Sequence, residues 1–171
     1  MLKPGQKTPA LDLPLTIDAR YELSKQNPDK FTLVVFYRGK HCPICKTYLT
    51  ELAKRLRDFA DRGVNVVSVS MDDKERACVI DSDWDTGDVP LAYDMDADTA
   101  REWGLYLSNG RDDSDEPDLF CEPGLFLIRP DGTLQMSVVQ NAPFARPRFD
   151  DLIEGIDIIA KHDYPPRGTA T

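Results

Sequence analysis

Two cysteines three residues apart form the part of this sequence best suited to chemistry. Cys42 and Cys45 enclose Pro43 and Ile44, and they stand between an apolar, β-branched run at 31–37 and a segment whose apolar residues recur at helical spacing. This position predicts that both thiols lie in the first turn of a helix, where free N–H groups and the positive end of the helix dipole stabilise an anion. Thiols in such pairs have a pKa of about 3.5–7.5 instead of ~8.5, so we expect a thiolate nucleophile at neutral pH.

The surroundings of the pair favour reversible oxidation. Lys40, His41 and Lys46 flank it and are expected to add positive field. Residues three apart on a helix have Cβ atoms roughly 5–6 Å apart, close enough for a small rotamer change to form a disulfide. Such a bond closes a loop of about four residues and contributes roughly 2 kcal/mol, against ~4.7 kcal/mol for a hundred-residue loop. The pair is therefore better suited to opening and closing than to stabilising the fold.

Hydrophobic periodicity predicts the elements that position the pair. In the stretch 40–62 the apolar residues recur at steps of three and four opposite a charged face, and Gly63 follows as a helix stop. The next run, 64–70, is a buried strand, so strand, helix and strand form a parallel crossover. Arg129-Pro-Asp-Gly132 is a turn between two antiparallel strands. The full prediction has strands at 31–37, 64–70, 89–93, 125–128 and 133–139, and helices at 40–62, 72–80, 96–103 and 148–161.

The length of 171 residues suits one domain, 1–171, with a full hydrophobic core. Within it, 1–30 is rich in proline and short apolar pieces, which predicts an extended arm or short strands. An acidic loop is expected at 108–117, as a solvated surface, and a loosely ordered tail at 163–171.

Composition excludes several functions. A formal net charge of −9 would repel a phosphate backbone, so nucleic acid is not an expected partner. No run approaches the ~18 apolar residues of a membrane span, and the N-terminus lacks the apolar region of a secretory signal, so the expected location is the cytoplasm. Four cysteines in that setting indicate redox catalysis, metal binding or simple burial instead of a disulfide framework.

The order of elements, with Cys-x-x-Cys after the first core strand, resembles the thioredoxin fold. More narrowly, the sequence resembles the alkyl hydroperoxide reductase/thiol-specific antioxidant group of peroxiredoxin-like redoxins. The similarity is carried by the N-terminal arm Leu2-Lys-Pro-Gly-Gln-Lys-Thr-Pro-Ala-Leu-Asp-Leu-Pro, the strand end Phe36-Tyr-Arg-Gly39 and the hairpin Pro123-Gly-Leu-Phe-Leu-Ile-Arg-Pro-Asp-Gly-Thr-Leu134. This resemblance implies an α/β thioredoxin-like fold, with a central mixed sheet flanked by helices and an N-terminal extension.

The sequence departs from the family at its motif. Peroxiredoxins carry Pro-x-x-x-Thr-x-x-Cys, and the alignment places Arg38 at the Pro, Cys42 at the Thr and Cys45 at the peroxidatic cysteine. Pro123 stands where peroxiredoxins have an Arg that polarises the peroxide and where thioredoxins have a cis-proline, so a cis bond is expected. Arg38 is then the nearest candidate for the lost cation. The thioredoxin pattern makes Cys42, at an exposed helix start, the nucleophile and Cys45 the resolving thiol, whereas the peroxiredoxin alignment reverses the two roles.

The resemblance implies a cofactor-free antioxidant enzyme that cycles Cys42 and Cys45 between dithiol and disulfide. Its substrate would be a peroxide or a protein disulfide, its reductant a thioredoxin- or glutathione-type thiol, and it could form a homodimer. The alternatives are a redox sensor or partner-binding module without turnover, and a zinc site built on the same two thiols. His41 is a candidate for tuning the neighbouring thiol. Cys121 and Cys78 are expected to be packed core residues, with the alternative that Cys121 approaches the dithiol if its loop folds over it.

Overall fold

The computed structural model describes residues 2–170. Short strands lie in the predicted arm, and the later elements fall close to their predicted positions. In chain order the elements are β1 (Asp12–Pro14), β2 (Arg20–Glu22), a 3-10 turn (Leu23–Lys25), β3 (Phe31–Phe36), α1 (Pro43–Ala60), β4 (Val64–Val69), α2 (Lys74–Asp83), β5 (Leu91–Ala92), α3 (Ala97–Glu102), β6 (Leu107–Asn109), β7 (Leu119–Cys121), β8 (Gly124–Ile128), β9 (Leu134–Val139) and α4 (Phe149–His162).

The strand β3 lies in the middle of a five-stranded sheet of order β5-β4-β3-β8-β9. β4 runs parallel to β3 and β5 parallel to β4, whereas β8 is antiparallel to β3 and β9 to β8. All six residues of β3 are buried, as a continuous apolar run predicts for a strand covered on both faces. The predicted α/β fold with a central mixed sheet is confirmed.

Successive side chains of β3 point to opposite faces of the sheet and supply two cores. Leu33 and Val35 belong to the first core, which includes residues of α1, α2 and α4. Val34 and Phe36 belong to the second, which includes residues of α3 and of the N-terminal arm. The ring centroids of Phe36 and Trp103 are 5.2 Å apart in this second core. Both cysteines of the Cys-x-x-Cys pair lie in the first core.

One strand pair was not predicted. β6 and β7 form a separate antiparallel pair, with Leu107 opposite Cys121, so the segment predicted as an acidic loop at 108–117 begins inside β6. Strands of three residues are too short to show an alternating pattern, which is why periodicity does not detect them. The second helix starts at Lys74, two residues later than predicted, because the Asp73 side chain caps it through the N–H of Arg76 at 2.9 Å.

Candidate active site

Cys42 and Cys45 lie at the N-terminus of α1, as predicted. Cys42 is the N-cap residue, with φ −103° and ψ 102°, and Pro43 occupies the first helical position. The Sγ atom of Cys42 accepts a hydrogen bond from the backbone N–H of Cys45 at 3.3 Å. A sulfur thus takes the place of the side-chain oxygen that usually caps a helix, and it satisfies one of the N–H groups left free in the first turn.

The two thiols differ strongly in acidity. The hydrogen bond from the Cys45 thiol lowers the pKa of Cys42 to about 6, against an opposing effect of burial. The Cys45 N–H and the charges of Arg146 and Arg38 contribute to the same lowering. Burial raises the pKa of Cys45 well above its ordinary value, and the bond to Cys42 acts in the same direction. These two directions favour Cys42 as the thiolate at neutral pH and Cys45 as the thiol that donates to it.

Both sulfurs are buried. Cys42 is 1% exposed and Cys45 0%, so the expectation that Cys42 lies exposed at the helix start is wrong. The segment before α1 is tied to the sheet, because the Tyr37 N–H donates to the Val69 carbonyl at 3.0 Å. Cys42 belongs to the first core, as do Tyr37 and Trp84. A charged sulfur at such a depth needs hydrogen bonds and a nearby cation. All four cysteines of the chain are free thiols in this structure.

Arg146 supplies the nearest cation, and sequence reasoning missed it. It lies in the connection between β9 and α4, and its Nη2 donates to Cys45 Sγ at 2.9 Å. The guanidinium carbon lies 4.9 Å from the centroid of the Tyr48 ring, and its charge favours the thiolate form of both cysteines. Because 101 residues separate Arg146 from Cys45, no local spacing indicates this contact. The available signal is an Arg-Pro pair just before an amphipathic helix.

Arg38, the predicted peroxide-polarising residue, is held by two carboxylates. Its Nη2 lies 3.2 Å from Oε1 of Glu116, and its Nε lies 3.3 Å from Oε2 of Glu122, an ion-pair distance without hydrogen-bond alignment. The guanidinium also stacks over the Phe120 ring, 4.6 Å from the centroid. Arg38 therefore acts on Cys42 through its charge across space.

The acidic segment 108–117 is not simply a solvated loop, and that expectation is wrong for Glu116. The Glu116 side chain is 5% exposed, and Arg111 Nε lies 3.1 Å from its Oε2. Hydrogen bonds from Arg111 lower the pKa of Glu116 to about 2. The neighbouring Asp115 carboxylate lies 3.7 Å from the ammonium of Lys40. The acidic segment therefore forms ion pairs with Arg38 and Lys40, two cations that precede the dithiol.

His41 does not add the expected positive field. Its ring packs 4.6 Å from the ring of Phe120, and neither ring nitrogen has a hydrogen-bond partner within residues 2–170. Burial, and then the charge of Arg38, lower the pKa of His41 to about 4, so the imidazole is neutral at pH 7. Lys46 directs its ammonium to the Asp83 carbonyl at 3.4 Å.

Asp72 fixes the turn that precedes the dithiol, a role that no local pattern in the sequence indicates. Its carboxylate accepts the backbone N–H of Lys40 at 2.7 Å and the Nε of Arg76 at 3.0 Å, in a site where the side chain is 0% exposed. Gly39 has φ +122°, and a Cβ atom there would lie 2.6 Å from both carboxylate oxygens. Only glycine fits so close to the carboxylate, and the turn at Gly39 leads the backbone to Cys42.

Among the described residues, the remaining predicted ones form no hydrogen bond with either sulfur. Pro123 is buried between β7 and β8, and its carbonyl accepts the N–H of Gln140 at 2.9 Å. The described peptide bonds are trans, so the expected cis bond before Pro123 is wrong. The trans isomer is intrinsically favoured, and the connection between β7 and β8 makes its hydrogen bonds in that form. Cys121 donates to the Tyr37 carbonyl at 3.5 Å in the second core, where burial raises its pKa to about 12. Cys78 is half-buried on α2.

Two further observations concern a metal site and a membrane-spanning helix. Within residues 2–170, no three His, Cys, Asp or Glu side chains come together as a metal site. Nor does any helix of that range combine the length and the apolar character needed to cross a bilayer.

A thiolate that caps α1, with a thiol donor one turn later and a mixed five-stranded sheet beneath, defines a thioredoxin-fold protein with an activated dithiol. The chain belongs to the AhpC/TSA family, whose sequence profile matches residues 4–137. It is 29% identical over 143 residues to a protein of Syntrichia ruralis named "Probable 1-Cys peroxiredoxin", a match that covers 78% of this chain and 64% of that relative's length. It is 22% identical over 168 residues to alkyl hydroperoxide reductase C of Helicobacter pylori, covering 92% and 78%.

The fold is shared with solved peroxiredoxin structures. The reduced 2-Cys peroxiredoxin of Plasmodium vivax superposes with a TM-score of 0.77 at 20% sequence identity, covering 95% of this chain and 84% of that one. The thioredoxin-like fold and the family resemblance expected from the sequence are thereby confirmed.

Proposed function

We propose that the protein is a thiol-dependent peroxidase that uses Cys42 and Cys45 in turn. The Cys42 thiolate attacks one oxygen of the peroxide, the O–O bond breaks, and the second oxygen leaves with a proton as an alcohol or water. Cys42 is then a sulfenic acid. The Cys45 thiol attacks that sulfur, the S–O bond breaks, water leaves and a disulfide forms. Two external thiols reduce the disulfide and are themselves oxidised.

The observation that carries this proposal is a thiolate that is hydrogen-bonded yet 1% exposed. The terminal oxygens of a hydroperoxide are small enough to reach such a sulfur after a minor local opening. A protein disulfide would have to bring two bulky chains to the same atom. Burial therefore favours a peroxide over a protein disulfide as the oxidant, and family membership supports the same choice.

The order of the two cysteines is also part of the proposal. The lowered pKa of Cys42 and the raised pKa of Cys45 favour attack by Cys42. The reverse order is supported by the peroxiredoxin alignment and by the contact between Arg146 and the Cys45 sulfur. We give the acidity more weight, because the thiolate is the nucleophilic form at neutral pH.

Arg38 and Pro123 have supporting roles in this proposal. Arg38 stabilises the Cys42 thiolate through its charge, although Glu116 and Glu122 reduce that effect. Pro123 precedes Gly124, which is paired with Phe36 at the end of β3. It therefore borders the segment that leads to Cys42 and would shape the approach of the oxidant.

Single Cys→Ser variants test the proposal under one thiol reductant, with a hydroperoxide and a small disulfide as alternative oxidants. We expect Cys42→Ser to abolish peroxide consumption and Cys45→Ser to leave one sulfenic acid per chain, captured by dimedone. Cys78→Ser is the matched control and should behave as wild type. The peroxidase proposal is refuted if the wild-type protein consumes the small disulfide but no hydroperoxide. It is equally refuted if Cys42→Ser remains active.

The same burial favours a second candidate, a redox sensor without turnover. A disulfide between sulfurs that are at most 1% exposed is difficult for a reductant to reach, so oxidation could outlast a catalytic cycle. Rapid reduction of the isolated disulfide form by a thioredoxin- or glutathione-type thiol would decide for the enzyme. The proposal includes a reducing compartment such as the cytoplasm, which supplies such thiols. A homodimer stays a prediction, and light scattering tests it.

A further inference from the structure

We propose that Tyr48 is a positioning residue that holds Arg146 against the Cys45 sulfur, and that this pair accelerates closure of the disulfide more than attack on the peroxide. The inference rests on the proposed function for its catalytic consequence. Its physical basis, a cation held beside Cys45, is independent of the oxidant.

Tyr48 contacts the Arg146 segment in two ways. It follows Cys45 by three residues on α1, so both side chains lie on the same face of the helix. Its ring lies under the guanidinium of Arg146 at 4.9 Å, and its hydroxyl donates to the carbonyl of Pro147 at 2.8 Å. The ring also packs against Phe149 at 4.4 Å, in the first turn of α4. Tyr48 therefore fixes both the charge of Arg146 and the backbone that carries it.

The charge of Arg146 is not committed to a carboxylate. No acidic side chain of the described residues forms an ion pair with it, whereas nearby Arg55 and Arg148 both pair with Asp150. Its Nε and Nη1 are buried and have no hydrogen-bond partner within residues 2–170. The guanidinium contacts the Cys45 sulfur and the Tyr48 ring, and no carboxylate of the described residues pairs with it to offset its charge at that sulfur.

The two chemical steps need this cation to different degrees. During peroxide attack, the negative charge is on Cys42, which already accepts hydrogen bonds from the thiol and the N–H of Cys45. During closure, Cys45 must itself lose a proton as its sulfur bonds to Cys42, while the hydroxyl of the sulfenic acid leaves as water. The developing charge on Cys45 then faces Arg146 Nη2 at 2.9 Å. Loss of the cation should therefore slow closure selectively.

The test compares Tyr48→Leu with Tyr48→Phe in single-turnover kinetics with hydrogen peroxide, followed by dimedone capture of the sulfenic acid. Tyr48→Leu should slow closure roughly tenfold, the effect of losing a partly desolvated cation–π contact, while peroxide attack changes less than about twofold. More dimedone adduct should accumulate. Tyr48→Phe retains the ring and should recover most of the closure rate. Tyr164→Leu is a matched control, because it removes another tyrosine stacked on an arginine, Arg167 at 5.9 Å, in the C-terminal tail.

Equal slowing of both steps, or an unchanged sulfenic acid lifetime in Tyr48→Leu, overturns the inference. A second measurement separates it from the peroxidase proposal. In a Cys42→Ser background, iodoacetamide alkylation of Cys45 needs no peroxide, and Tyr48→Leu should slow it by a similar factor. If wild type consumes no peroxide but this alkylation effect is present, the function is wrong and the positioning role stands. If alkylation is unaffected, the positioning role is wrong.

Discussion

Replacing Cys45 by alanine tests the origin of the reactive thiolate. The substitution removes the S–H group that donates to Cys42 but leaves the backbone N–H of position 45 in place. That S–H bond is the largest of the effects that lower the pKa of Cys42 to about 6. The N–H, Arg146 and Arg38 contribute the rest. We therefore expect the pKa of Cys42 to rise by at least about one unit in Cys45→Ala.

The size of the effect on reactivity follows from the ionised fraction. With a pKa of about 6, Cys42 is roughly nine-tenths thiolate at pH 7, and with a pKa one unit higher it is about half thiolate. The alkylation rate at pH 7 should thus fall by about half or more, and the midpoint of the pH–rate curve should move upward. Cys45→Ser is the matched control. Its hydroxyl can still donate to the Cys42 sulfur, so the midpoint should remain closer to that of wild type.

The assay is the rate of iodoacetamide alkylation at Cys42 between pH 4 and 10, with mass spectrometry to assign the modified residue. A wild-type midpoint near that of free cysteine would refute the hydrogen-bonded thiolate. The same midpoint in wild type and Cys45→Ala would show that the S–H donor is not its cause. A raised midpoint in Cys45→Ala with little change in Cys45→Ser is the expected result.

Two further predictions concern stability. Gly39→Ala should destabilise the protein by about 1–3 kcal/mol in urea unfolding, because φ is +122° and the new Cβ would meet a buried carboxylate at 2.6 Å. Gly155→Ala, in α4, where the new Cβ would meet nothing within 4 Å beyond its chain neighbours and the backbone of its own helix, should be neutral or stabilise by up to about 1 kcal/mol, and the opposite ranking would contradict the turn geometry. Hydrogen bonds from Arg111 lower the pKa of Glu116 from 4.5 to about 2, so its ionised form favours the folded state. That contribution is complete above about pH 4.5 and is lost as the pH falls towards 2. Glu116→Gln should therefore flatten the pH dependence of unfolding in this range, whereas Asp113→Asn, an exposed change in the same loop, should not.

Local patterns predict the framework of this protein and the placement of its dithiol. The apolar run of β3 and the helical spacing of α1 each carry their own signal, so Cys42 and Cys45 are found where the two meet. The contacts that set their chemistry are long-range. Arg146 lies 101 residues from Cys45 and Glu116 lies 78 from Arg38, and neither contact follows from spacing. The burial of Cys42 was missed for the same reason, since it depends on which segments pack around the helix start.

A buried thiolate is stabilised most by a cation whose charge no carboxylate offsets. Arg38 is close enough to favour ionisation of Cys42, but its guanidinium is paired with the carboxylates of Glu116 and Glu122. Arg146 has no such partner among the described residues and has the larger effect on Cys42. The resemblance places the family's arginine at the start of the final hairpin, where this chain has Pro123. Here the effective cation comes instead from the connection before α4, beyond the range 4–137 that matches the family. The reactivity of the dithiol therefore depends on how firmly that connection is attached to α1.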